Sequence, residues 1–348
     1  MKASPEQLDA MRRVLGERHR SRPEAGSAFE LARLAYLAGD YDEAIERFRE
    51  AHARAPDEPA AALALVRAAS ALGMHELERA VLADALCSAP SFAPLVLHAA
   101  LLDVPADLTA ARARLRTVDH DAACAEFGRA IDHLVQSRPM PLPADGGERA
   151  IARAQGMRWV QDRDADAGVF RGLPVAVLEA GLGAATVDGL VMEFGVFHGR
   201  SLRLLAADSP GRVHGFDSFE GLPEAWSEAE GAGSYSTGGR LPRVAANVEL
   251  HAGWFEDSLP PFLATHPGPV RLAHVDCDLY SSTRVVLDAL APRFVPGSVL
   301  VFDDLLGYPG YEAHELRALD EFASATGWRY RVLAAALLGR EVAIQLVD

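Results

Sequence analysis

Residues 191–201 read VMEFGVFHGRS. An apolar run leads into Gly195 and Gly199, and a stretch of helical character follows from Arg200. That order predicts a strand, a turn where backbone can approach a ligand closely, and a helix whose N-terminus faces it. Doubly wound sheets bind nucleotide-like molecules in this way at the carboxyl end of the first strand. The spacing is not G-x-G-x-x-G, so the dinucleotide fingerprint is not met. Outward from this segment, strands are predicted over 213–216, 248–251, 270–275 and 298–302, with late strands over 330–334 and 342–347. Helices fall at about 200–208, 257–265, 281–291 and 312–326, and one more, 173–185, precedes the first strand. Alternating strands and helices with apolar strands predict an α/β fold with a parallel sheet covered on both faces.

The strand ends carry the chemistry. The second strand closes at Asp217 in GFDSFEGLP, where a carboxylate suits a ribose diol because it accepts from both hydroxyls. The fourth ends in HVDCDLYSST with Asp276 and Asp278, and the fifth in VFDD with Asp303 and Asp304. A single aspartate in such a place is most simply a helix cap, as Asp278 ahead of Ser281 would be. Two pairs at neighbouring strand ends are different: unpaired carboxylates repel and resist ionisation, and a hard divalent cation with oxygen ligands resolves the conflict.

The first third of the chain is rich in alanine and leucine and reads as helices. Gly39, Tyr41, Ala44, Phe48, Ala51 and Pro56 fall at a spacing that resembles the tetratricopeptide motif. Adding 34 residues gives Gly73, Leu82, Ala85 and Pro90, with His75 replacing the aromatic and Glu78 the small residue. A third unit over 93–126 is more eroded. The glycine permits a tight turn, the alanines let antiparallel helices approach, and Phe48 fills the gap. Such arrays bind a peptide or another subunit, so a protein partner or self-association through residues 25–126 is one expectation; packing on the second domain is the other. The last helix, around 124–136, is expected to cap the array or dock on the second domain. SRPMPLPADGG, residues 137–147, reads as a linker. The expected organisation is an all-α tetratricopeptide-like domain over 1–136, the linker, and an α/β domain over 148–348.

Composition narrows the function. At 348 residues, two domains are expected. The formal net charge of −15 disfavours nucleic acid and anionic membrane surfaces as partners. Lys2 is the only lysine, which excludes a P-loop, an internal Schiff-base lysine and a kinase phosphate lysine. Cys87, Cys124 and Cys277 fit neither a disulfide framework nor a C-x-x-C site. With no apolar leader in the first twenty residues and no long apolar run, a cytoplasmic location is expected.

EFGVFHGRS, GFDSFEGLP, GWFEDSLP, HVDCDLYSST and the final DD together resemble the macrocin O-methyltransferase (TylF-type) family over roughly residues 155–348. The resemblance implies a Rossmann-like class I methyltransferase sheet, S-adenosylmethionine and Mg²⁺ as cofactors, and methyl transfer to a hydroxyl of a sugar or glycosylated natural product. Matched position by position, Asp276, Asp303 and Asp304 fall on the metal ligands and Asp278 on the general base. Glu193, Gly195, Gly199 and Ser201 fall on the methionine-side loop, Asp217 and Ser218 on the ribose contacts, and Gly253 and Trp254 on the start of the adenine pocket. The helical array lies outside the resemblance.

A sugar hydroxyl is a poor nucleophile while protonated; bound Mg²⁺ lowers its pKa, and Asp278 within hydrogen-bond reach takes the proton. No basic side chain is expected in the site, its positive charge coming from the cation and the sulfonium. His274 shares strand parity with Asp276, yet a packed histidine is the simpler reading; His198, His314 and Tyr280 are weaker candidates still. The segment 220–243, with Trp226 and Tyr235, reads as a lid or as a disordered surface insertion. Two rival functions stay open. One is a phenolic or catechol acceptor, although the lysine base common in that subtype would stand where Leu279 is. The other is a non-catalytic interaction protein built on a methyltransferase scaffold.

Overall fold

A computed structural model describes residues 4–144, 146–163 and 167–348. Lys2, and Asp145 within the expected linker, lie outside the described residues. Eight helices come first: α1 (Pro5–Ser21), α2 (Ala25–Leu37), α3 (Tyr41–Arg54), α4 (Pro59–Ala71), α5 (His75–Ser88), α6 (Ala93–Asp103), α7 (Leu108–Leu115) and α8 (Ala122–Val135). The repeat residues do what their spacing predicts. Ala28, Ala32, Ala35, Ala44 and Phe48 are buried between α2 and α3, and Leu82 and Ala85 bury the second pair.

The helix α9 (Glu148–Arg163), unforeseen in the sequence, leads to a short strand β1 (Phe170–Arg171) and α10 (Pro174–Ala184). The remaining elements are β2 (Leu190–Phe194), α11 (Arg200–Asp208), β3 (Val213–Asp217), β4 (Val248–Ala252), α12 (Phe255–Thr265), β5 (Val270–Val275), α13 (Tyr280–Leu290), β6 (Val299–Phe302), α14 (Glu315–Thr326), β7 (Arg329–Ala336) and β8 (Val342–Val347). They form one eight-stranded sheet in the order β1-β7-β8-β6-β5-β2-β3-β4. All neighbouring pairs are parallel except those of β8, which runs antiparallel to both β6 and β7. The expected all-parallel sheet is corrected here. Only a short turn separates β7 from β8, too little chain for the crossover that a parallel neighbour requires. The order reverses at β2, whose neighbours are β3 and β5, and a ligand crevice opens where connections leave in opposite directions.

The array does not stand apart from the sheet. One hydrophobic cluster runs from Val96, Leu115 and Ile131 through Met157 to Phe194, Phe302 and Ile344. The turn glycines of the repeats face the α/β half. A Cβ on Gly39 would lie 2.8 Å from the Cβ of His198, and one on Gly73 would lie 2.4 Å from Leu204 Cδ2. The two departures from the repeat pattern form a latch. Glu78 is fully buried; its Oε1 accepts from His98 Nε2 at 2.6 Å and its Oε2 lies 3.3 Å from His75 Nδ1. His75 Nε2 in turn reaches Glu179 Oε1 on α10 at 2.6 Å. Arg203 pairs with Asp42 at 2.7 Å, and Arg240 with Asp9 at 3.0 Å.

Gly172 lies against the array, where an added Cβ would fall 1.9 Å from the carbonyl oxygen of Leu101 on α6. Gly172→Ala should therefore lower stability by about 1–3 kcal/mol through overpacking. Gly183→Ala, with nothing within 4 Å of the new methyl, serves as the control. The two midpoints in urea should differ in that direction; equal midpoints would show that the array yields freely at this contact.

Candidate active site

The segment 191–201 folds as a strand, a turn and a helix start. Gly195 has φ +93° and leaves no room for a side chain, since a Cβ would sit 1.7 Å from the carbonyl oxygen of Asp276. The glycine lets the end of β2 lie against the end of β5, so that the loop and the acidic strand end share one place. Gly199, at φ +73°, is the N-cap of α11, and Ser201 is buried in its first turn.

Asp217 braces this loop. Its Oδ2 accepts from the backbone N–H of Val196 at 2.8 Å and of Phe197 at 2.7 Å, and its Oδ1 accepts from Phe219 N–H at 2.7 Å. A carboxylate has about four lone-pair sites, so one remains for a ligand hydroxyl. The Ser218 hydroxyl serves its own turn, donating to Gly221 O at 3.4 Å and accepting from Glu220 N–H at 3.1 Å. Gly253 N–H donates to Asp217 O at 3.0 Å, and Trp254, half-buried, caps α12. Glu193, the next-to-last residue of β2, faces His274 on the neighbouring strand β5. It is fully buried, its Oε1 lies 2.8 Å from His274 Nδ1, and its Oε2 has no hydrogen-bond partner among the described residues.

The four aspartates converge as two overlapping sets. Donor atoms of Asp276, Asp278 and Asp304 lie within 4.8 Å of one another, and so do those of His274, Asp276 and Asp303. Asp276 belongs to both. Burial, then the charges of Asp303 and Asp278, hold the Asp276 carboxyl well above the usual carboxylate range. Burial and Asp304 push Asp278 up to about 8. Asp304 rises to about 6 through burial and Asp303, with Arg340 opposing. Asp278 also holds a left-handed backbone, φ +62°, which an aspartate tolerates better than most residues.

Several neighbours carried no local sequence signal. Glu315 is fully buried and its Oε2 accepts from Asp304 N–H at 3.2 Å. Burial and Asp303 raise the Glu341 carboxyl to about 8. Two arginines overturn the expectation that no basic side chain serves the site. Arg340 Nη1 donates to Asp304 Oδ1 at 2.5 Å, and the carboxylates of Asp303 and Asp276 keep Arg200 charged against the cost of its burial. Arg200 stood in the glycine loop and was legible as a residue, not as a site member. Arg340 and Glu341 arrive only because the β7–β8 turn crosses residues 304–307, where Leu306 N–H bonds Arg340 O at 3.2 Å.

His274 is both packed and close to the site, 2% exposed, with Nε2 3.9 Å from Asp303 Oδ1. His198 packs on Gly39, and His314 lies beside Trp226 and Tyr308. Tyr280 donates to Glu321 at 2.7 Å under Arg317. Within 220–243 the chain is irregular but tied down: Trp226 packs edge-on to Tyr308 at 5.5 Å, Tyr235 edge-on to Phe197 at 5.8 Å, and Ser281 donates to Glu224 at 2.6 Å. A cavity of about 260 Å³ opens between array and sheet. Arg67, Leu97 and His98 wall it from the array, and Arg200, His274 and Asp303 from the other side. Among the described residues no helix is long and apolar enough to cross a membrane.

Comparison with known proteins agrees with this geometry. Residues 192–305 match a methyltransferase domain family, and residues 35–90 match a tetratricopeptide repeat family. A curated relative is 32% identical over 142 residues, 34% of this chain: the 8-demethyl-8-(2,3-dimethoxy-alpha-L-rhamnosyl)-tetracenomycin-C 4'-O-methyltransferase of Streptomyces olivaceus. The chain spans about half, 53%, of that relative's length. Among solved structures it is similar to CalS11, a calicheamicin methyltransferase, at 22% identity and TM-score 0.40, covering 67% of this chain and 97% of the other. It is also similar to the O-methyltransferase NovP, at 18% identity and TM-score 0.37, covering 66% and 100%. Residues 192–305 are thus a methyltransferase domain on a Rossmann-like sheet, and residues 35–90 are a tetratricopeptide-repeat region set before it.

Proposed function

We propose that this chain is an S-adenosylmethionine- and Mg²⁺-dependent O-methyltransferase of the TylF type, acting on a hydroxyl of a sugar or glycosylated natural product. The observation that carries the reading is the convergence of four aspartates beside the glycine loop of a methyltransferase domain. The acceptor class follows the curated relative, whose name specifies methylation of a rhamnosylated tetracenomycin.

The residues suit both groups. Oxygen donors within 4.8 Å of one another, held above their ordinary pKa by burial and mutual repulsion, are what a hard cation neutralises. By the family resemblance Asp276, Asp303 and Asp304 would hold it; Asp276 shares one donor set with Asp304 and Asp278 and the other with Asp303 and His274. Glu193 at the end of β2, the turn at Gly195–Gly199, the first turn of α11 with Ser201, Asp217 with Ser218, and the Gly253–Trp254 corner would hold S-adenosylmethionine. When bound, the sulfonium supplies an electrophilic methyl group, and Mg²⁺ acidifies and orients an acceptor hydroxyl.

The chain's own residues do the rest. Asp278 takes the hydroxyl proton on a carboxylate oxygen, and a cation beside it would hold that carboxylate in the ionised form that accepts a proton. Glu193 fixes the His274 ring, whose Nε2 faces Asp303. Arg340 favours the ionised form of Asp304. The array closes one side of the cavity, so it selects the acceptor and holds the domain together. Its contacts through Gly39, Gly73 and His75 support packing on the chain's own second half over an outside partner for residues 25–126. Against a catechol-type mechanism, Leu279 is 2% exposed and caps α13.

Asp278→Asn should bind S-adenosylmethionine with unchanged affinity by calorimetry while kcat falls about 10²–10⁴-fold. Retained turnover on rhamnosylated acceptors would reject the base. EDTA should abolish activity, and Asp303→Ala should raise the Mg²⁺ concentration needed for half-maximal rate; a chelator-insensitive enzyme would remove the metal. Leu97→Trp should raise the acceptor KM about tenfold at unchanged cofactor affinity by filling the cavity.

Stability should follow the same charges. The Asp278 carboxyl has a folded pKa of about 8 against an unfolded value near 4, so between those values the folded state binds more protons than the unfolded one. Its contribution is fully present below about pH 4 and is lost as pH rises through about 8. The Tm advantage of Asp278→Asn over wild type should therefore grow across that window without metal and shrink when Mg²⁺ is added at the alkaline end. A gap independent of pH would refute the crowding.

A further inference from the structure

A second group of metal-type donors lies on the opposite face of the sheet, well apart from the aspartates. His214 on β3 stands directly across from Glu249 on the edge strand β4, and His251 comes two residues later on the same face. One donor atom from each of the three residues lies within 4.8 Å of the others. His214 Nδ1 and His251 Nε2 are 3.2 Å apart. Two imidazoles bound to one tetrahedral zinc, with Zn–N bonds of about 2.0–2.1 Å, place their nitrogens roughly 3.3 Å apart. The two nitrogens share a hydrogen bond at this distance, and an ion bound between them would displace its proton.

The surroundings fit an ion reached from solvent. His214 is buried, and its ring lies against Phe262 of α12 at 4.7 Å; the His251 ring stacks on Phe216 at 4.5 Å. These contacts fix both imidazoles. Glu249 and His251 are only partly buried, because β4 has no strand on its outer side. The ion pair of Glu249 with Arg212, at 3.4 Å, is exposed on both sides and holds the carboxylate weakly. His266, stacked on Phe262 at 4.2 Å, turns its Nδ1 to Phe262 O and the Thr265 hydroxyl and stands outside the ligand set.

We infer that His214, Glu249 and His251 form a site for a zinc-type divalent cation with a fourth, solvent-filled position. The donor set, two imidazoles and a carboxylate, separates it from the oxygen-rich aspartate cluster, which suits a harder ion. Bound there, the cation ties the edge strand to β3 just before Gly253 and Trp254.

The test uses the full chain, stripped with a chelator and then kept in excess Mg²⁺ so that the aspartate cluster is occupied. Zn²⁺ alone is titrated by calorimetry, and Co²⁺ alone is followed by visible absorption. The expected result is one equivalent of Zn²⁺ and the intense ligand-field bands of tetrahedral Co²⁺. Both should be lost in the double variant Glu249→Gln, His251→Gln and kept in Asp303→Asn. Circular dichroism checks that the double variant is folded; these two partly exposed residues are chosen over buried His214 for that reason. Full Zn²⁺ uptake by the folded double variant overturns the site, and so does a wild-type Co²⁺ spectrum without tetrahedral bands, whatever the variant does.

Discussion

Carboxyl groups crowded at the ends of β5 and β6 are the constraint around which this molecule is arranged. Asp276, Asp278, Asp304, Glu315 and Glu341 all have raised pKa values, because burial and the charges of their neighbours, Asp303 among them, disfavour the ionised form. Such a cluster works against folding unless something compensates. Part of the compensation is built in, through Arg340 on Asp304, Arg200 facing Asp303 and Asp276, and the backbone N–H of Asp304 directed at Glu315. The remainder is what the proposed Mg²⁺ would supply.

The glycine loop and the acidic ends depend on each other. Gly195 lies against the Asp276 carbonyl, and Asp217 holds the next two backbone N–H groups. The glycine loop and the acidic strand end are therefore one rigid unit, in which a side chain at Gly195 would force the two apart. The helical array completes this unit from above. Its turn glycines touch His198 and Leu204, its α6 crosses Gly172, and its α4 and α6 wall the cavity that reaches Asp303. A repeat region placed in this way acts as part of the site's enclosure. Its two departures from the repeat pattern, His75 and Glu78, are the residues that connect it to α10.

Much of this was legible along the chain because it depends on local pattern. Strand and helix positions follow from hydrophobic runs and turn glycines, and the structure places the strands from β2 to β8 within a residue or two of their predicted bounds. The helical repeats follow from a 34-residue period. The four aspartates follow from strand ends, since topology brings the ends of adjacent parallel strands together. The antiparallel β8, the helix α9 and the short β1 escaped, because their placement depends on which edge of the sheet is free, not on their own residues.

By itself, then, the amino-acid order determined the two architectures, the crevice at the first strand, the absence of any internal lysine chemistry and the acids that line the crevice. These are consequences of periodicity and residue type, which act over a few residues. Tertiary structure decided what those residues do to one another. It buried Glu193 against His274 of the neighbouring strand. It divided the aspartates into two overlapping sets around Asp276 and brought Arg340 and Glu341 across from the last hairpin. It also pressed the array onto the α/β half. Those outcomes depend on distances between segments far apart in the chain, and electrostatic and packing energies act through distance.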